Sequence, residues 1–143
     1  MINKDLILSK LLKIKKYIQE LKTFSNITFE EYKRDFIKKR AVERLILLLV
    51  EVATDINSYV IVEIGKDPPT DYYDSFIKAI EIGLISKQLG EKLAPSAGLR
   101  NRLVHEYGEI KDDIVYSSIN EATKLYTTFI KEVNDYLKSI FKI

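Results

Sequence analysis

The feature that most limits what this chain can fold into lies near its C-terminus. Between residues 112 and 141, Val115, Ile119, Ala122, Tyr126, Phe129, Val133, Tyr136 and Ile140 follow one another at alternating steps of four and three. Only an α-helix returns such residues to one side of the backbone, and eight of them in register demand other helices to cover the seam. A second such helix is expected over 3 to 22, where Ile7, Leu11, Ile14, Ile18 and Leu21 repeat the same steps. A third is expected over 36 to 65. Its stripe is Ala41, Leu45, Leu48, Val52, Ile56, Tyr59 and Val62, widened by Leu47, Leu49 and Val50, and so broad a stripe suits a central helix.

Shorter elements fall between them. Asn26 or Thr28 can cap a short helix that has Glu30 and Glu31 in its first turn, where carboxylates suit the dipole. The segment GKDPPTD ends the third helix, because two prolines cannot continue it. Residues 71 to 82 read as a helix closed by Gly83. Ser86 caps a segment from 87 to 107 that Pro95 should kink or split. Five glycines and three prolines in 143 residues leave little material for a turn-rich β fold. No period-2 strand, internal repeat or flexible linker is found. The expectation is a single all-α domain over 1–143, an antiparallel up-and-down bundle with three long helices and shorter ones between.

Composition narrows the function. Lys+Arg 23 against Asp+Glu 21 excludes a protein that coats nucleic acid by bulk charge, though not a local basic cleft. The absence of cysteine excludes disulfides, thiolate metal sites and a Cys nucleophile. With one histidine, a metal site would rest on carboxylates alone, so neither metal nor cofactor is expected. The N-terminal stretch mixes lysines into its apolar residues, unlike a signal peptide, and the longest apolar run, 45 to 50, cannot span a membrane. No membrane association and a cytoplasmic location are the expectation. There is no P-loop, no GxGxxG and no Ser/His/Asp arrangement.

The chemistry concentrates in GLRNRLVHEYGEI, residues 98 to 110, which holds the one histidine, His105. On a helix, Asn101 and His105 share a face one turn apart, so Asn101 can orient the imidazole. Arg100 and Tyr107 share another face. Arg100 and His105 are about 140° apart. One straight helix therefore does not aim both at one point: either the helix loosens near Gly108, or a second copy of the chain across a two-fold axis completes the site. Histidine is the acid–base group for neutral pH, and the arginine fork suits phosphate. Together they form a minimal kit for cutting RNA without metal. One imidazole takes the ribose 2′-OH proton, a second protonates the leaving 5′-oxygen, and arginine stabilises the phosphorane. A homodimer supplies both imidazoles.

Arg100, four residues, His105, one residue and Tyr107 match the Arg-x-x-x-x-His-x-Tyr signature of HEPN-domain proteins of the HepT toxin type. The stretch RAVERLILLLVEVATDINSYVIVEIGKDPPTDYYDSF resembles that family's central helix and following loop. LAPSAGLRNRLVHEY resembles its most characteristic stretch. The resemblance implies a dimeric, metal-independent endoribonuclease toxin leaving 2′,3′-cyclic phosphate ends. It further implies neutralisation by an MNT-type nucleotidyltransferase antitoxin that transfers AMP to the motif tyrosine. Arg100 and His105 would be catalytic, Asn101 and Arg102 supporting, and Tyr107 the modified residue. A different class of reading is a non-catalytic helical subunit that binds nucleotide or substrate for a nucleotidyltransferase, but the intact motif favours the enzyme.

Further candidates lie elsewhere in the chain. Asp55 and Glu51, one turn apart on the apolar central helix, are candidates to hold Arg100 or Arg102, with Asp55 preferred. The alternative is a solvated strip or a pair tying helices together. Tyr126 and Tyr136 read as core. Tyr72 and Tyr73 are candidates to touch substrate or antitoxin. The basic runs KIKK, 13 to 16, and KRDFIKKR, 33 to 40, read as solvated faces.

Overall fold

A computed structural model describes residues 1–105 and 112–142, with His105 described by its backbone alone. Seven helices appear in it: α1 (Lys4–Lys22), α2 (Phe29–Arg34), α3 (Phe36–Glu63), α4 (Tyr72–Glu81), α5 (Lys87–Leu93), α6 (Pro95–His105) and α7 (Asp112–Phe141). Caps set several of the boundaries. Asn3, Thr28, Asp35, Asp71 and Ser86 each accept a hydrogen bond from a backbone N–H in the first turn that follows, which would otherwise lack a partner. Of the two candidate caps for α2, Thr28 is the one used, at 3.1 Å from the Glu31 N–H.

α3 is the axle. It packs against α1, α2, α4, α6 and α7. Leu49, Val50, Ala53, Ile56, Val60 and Ile61 are fully buried on it. Among the described residues, α3 is the one helix long and apolar enough to cross a membrane. Its neighbours instead cover most of its apolar surface, the arrangement of a core helix. The buried set is shifted from the expected stripe. Val42, Ile46 and Ala53 are buried, Ala41, Leu48 and Tyr59 are half-buried, and Val62 is exposed. A helix apolar around its whole girth offers several stripes, and the neighbouring helices choose among them.

The bundle runs up and down in four legs. The start of α1 lies at the end of α3, where the Asn3 N–H donates to Tyr59 Oη at 2.8 Å. α1 is also antiparallel to α7, because Tyr116 near the start of α7 donates to the Ile27 carbonyl just past α1, at 2.7 Å. α3 and α7 therefore run in the same direction, joined at their starts by Lys39–Asp112 at 3.1 Å. The return leg between them is the pair α5 and α6, split at Pro95 as expected. Pro95 opens α6, where its missing N–H costs nothing.

On α7 the seam holds from Val115 to Val133 and then turns. Leu137 is buried, Tyr136 half-buried and Ile140 exposed. A 3.5-residue repeat falls roughly 20° behind a straight helix with each heptad. Three heptads after Val115, Tyr136 has left the buried face, and Leu137 takes its place. Tyr126 is buried as expected, and burial pushes its phenol above the usual tyrosine range.

Gly90 shows how closely the short legs fit. A methyl group there would collide with the Ile80 side chain on α4. Alanine normally gains about 1 kcal/mol over glycine in a helix, but overpacking costs about 1–3 kcal/mol. Gly90→Ala is expected to lower the melting temperature by about 2–4 °C, and combining it with Ile80→Ala should cost less than the sum of the two. A higher melting temperature for the single variant would show that Ile80 yields freely.

Candidate active site

Three helices bring three side chains to one point. Arg100 stands in the middle of α6, Glu51 in the middle of α3, and Tyr72 is the first residue of α4. Arg100 Nη2 lies 3.3 Å from Glu51 Oε1. Its guanidinium carbon sits 4.2 Å from the centre of the Tyr72 ring, within cation–π range. Arg100 Nη1 donates to Asn101 Oδ1 at 3.3 Å. The Arg100 side chain is only 15% exposed, and its buried Nε finds no partner among the described residues. A cation this covered needs a carboxylate, and among the described residues Glu51 is the one that reaches it.

Each member is held from behind. Tyr72 follows the two prolines, and the start of α4 is strapped twice over. Asp71 Oδ1 accepts from the Asp74 N–H at 2.7 Å, while the Asp74 carboxylate accepts from the Thr70 N–H at 2.9 Å and pairs with Lys78 at 3.3 Å. Ser75 Oγ donates to the Tyr72 carbonyl at 2.8 Å, and buried Asn57 on α3 donates to that Oγ at 3.4 Å. The start of α6 is tied to α7 by Ser96 Oγ and Tyr126 Oη, 3.4 Å apart.

The other candidates fall as follows. Asp55 does not reach Arg100. It is exposed on its side chain and stands 3.9 Å from Lys10 of α1. One helical turn separates it from Glu51, and that turn carries it past the end of the arginine's reach toward α1. Asn101 accepts a hydrogen bond from its neighbour Arg100 at its side-chain oxygen. Arg102 is exposed and makes no ion pair among the described residues. It lies about 200° round α6 from Arg100. The His105 side chain and Tyr107 lie outside the described residues. Tyr72 faces Arg100, whereas Tyr73 is exposed. The three lysines of KIKK are exposed, while Ile14 between them is buried in the core. The second basic run is largely neutralised by Lys38–Glu31, Lys39–Asp112 and Arg40–Glu43. Sequence reasoning missed the stacking of Tyr72 on Arg100, since nothing in the spacing of residues 72 and 100 signals it.

With this geometry in hand, the chain was compared with known proteins. The family described as Ribonuclease HepT-like matches residues 14–133. The chain belongs to the HepT-like ribonucleases. Among curated relatives of this family, a tRNA nuclease HepT from Aphanizomenon flos-aquae is 33% identical over 124 residues, 87% of this chain and 84% of the relative. An mRNA nuclease HepT from Shewanella oneidensis is 27% identical over 126 residues, 88% of this chain and 94% of the relative. Among solved structures, a tri-AMPylated Shewanella oneidensis HEPN toxin in complex with MNT antitoxin superposes with a TM-score of 0.84 at 25% identity, covering 94% of this chain and 99% of that one. The all-α HepT-like fold is thus the fold of this chain.

The strap at Asp74 gives a pH test. Hydrogen bonds from the Thr70 backbone, then from Lys78, hold its carboxyl below the usual carboxylate range. A carboxyl lowered in the folded state adds stability above its ordinary value and loses it as pH falls through the lowered one. Asp74→Asn should therefore be less stable than the parent near neutral pH, with the gap closing in acid. Thermal melts across that range check this, and a gap of constant size would refute it.

Proposed function

We propose that this HepT-like ribonuclease is the toxin of a toxin–antitoxin pair, a cytoplasmic, homodimeric endoribonuclease that needs no metal. The observation that carries this reading is Arg100, fixed on Glu51 and Tyr72, five residues ahead of the chain's one histidine. Two histidines from two copies supply a base and an acid. One takes the proton of a ribose 2′-OH, and the 2′-oxygen bonds to phosphorus as the bond to the 5′-oxygen breaks. The other returns a proton to that leaving oxygen. Arg100 stabilises the extra negative charge that the phosphorane carries between these steps. The products are a 2′,3′-cyclic phosphate and a 5′-OH end.

The off-switch in this reading is Tyr107. An MNT-type nucleotidyltransferase partner joins its phenolic oxygen to the α-phosphorus of ATP, and pyrophosphate leaves. The added AMP brings bulk and negative charge to an RNA cleft, which repels substrate. The AMP carried by the Shewanella toxin in complex with its MNT antitoxin supports this reading.

The decisive experiment is RNA cleavage in EDTA by wild-type protein beside His105→Ala. Fragments with cyclic-phosphate ends are expected from the first and none from the second. Failure of unmodified wild-type protein to cut a broad RNA pool would overturn the proposal. Co-expression with the nucleotidyltransferase should add one or more AMP masses to the wild type and none to Tyr107→Phe. Mixed dimers of Arg100→Ala and His105→Ala chains should lose nearly all activity if both copies serve one cut. Substantial residual cleavage would mean that one Arg–His pair suffices.

A further inference from the structure

We propose that Glu51 and Tyr72 are positioning residues that aim the Arg100 guanidinium at the scissile phosphate. This rests on the ribonuclease reading above. Arginine has five N–H donors. In Arg100, one on Nη1 goes to Asn101, one on Nη2 goes to Glu51, and Nε is buried. What remains for a phosphate is one N–H on each terminal nitrogen, the pair that makes a two-pronged grip. With the side chain 15% exposed, little of it meets solvent, so its orientation decides whether the open part faces the substrate.

Two contacts set that orientation in different ways. The Tyr72 ring centre lies 4.2 Å from the guanidinium carbon and fixes where the head group rests. Glu51 holds Nη2 at 3.3 Å and so fixes how it is turned. Neither alone defines both. The carboxylate also offsets part of the cation's charge, which weakens the grip on any phosphate bound in the ground state. Removing that charge leaves a looser but more positive arginine.

This predicts a split that a loss of fold would not give. Glu51→Gln keeps the side-chain shape, and its kcat should fall about tenfold while KM does not rise. Tyr72→Leu should lose activity similarly, and Tyr72→Phe, which keeps the ring, should recover most of it. Assays use a single-stranded RNA that the wild-type protein cuts, with helicity and melting temperature measured for each variant. Unchanged kcat in Glu51→Gln and Tyr72→Leu, alongside an inactive Arg100→Ala, would overturn the clamp and leave the ribonuclease reading standing. Wild-type cleavage by Arg100→Ala would instead sink the catalytic role of that arginine. A readout independent of cleavage is the Arg100 Nε–H resonance in NMR spectra. The Tyr72 ring current should displace it, and Tyr72→Leu should return it toward the usual arginine position. No movement would refute the stacking even if no RNA were cut.

Discussion

The bundle depends on a helix that cannot face water on most of its sides. α3 holds twelve buried residues in its 28, and every long neighbour touches it. Burying a large aliphatic side chain contributes about 1.5–3 kcal/mol, so the order of the other helices around α3 follows from covering it. α1 and α7 take one part of the girth, and α4 and α6 take another. The few places where a polar group interrupts α3 then become special. Asn57 is buried and bonded to Ser75, and Glu51 sits where α6 brings an arginine.

The reactive segment gains its geometry from this scaffold. α6 is short, with five turn-forming or small residues, Ala94 to Gly98, around its start, and alone it would be marginal in water. Ser96 against Tyr126 and Arg100 against Glu51 fasten it at two heights to α7 and α3. A phosphate-binding fork has to be aimed before substrate arrives if it is to stabilise charge that exists only in the transition state. Rigid helices meet that need better than a loop would.

Much of this was legible in the sequence. The steps of four and three located α1 and α7 to within a residue or two, and Pro95 announced the break between α5 and α6. The motif pointed to Arg100 directly. Besides the contact of Tyr72 with Arg100, three things were not legible, for separate physical reasons. The buried face of α3 was ambiguous because nearly every face is apolar. The turn of the α7 seam at Leu137 came from slow drift of a heptad repeat on a straight helix. The choice of Glu51 over Asp55 depended on where α6 crosses α3, and the spacing of two carboxylates one turn apart carries no information on a third helix.

Tyr72 reaches the arginine from a segment 28 residues earlier in the chain, and its place is set by the caps that follow two prolines. The candidate site therefore has a contributor that the Arg-x-x-x-x-His-x-Tyr signature does not contain. A relative can carry that signature unaltered and still have lost the ring against which its arginine rests. Judging whether such a protein is a working enzyme thus means reading the start of α4 together with the end of α6.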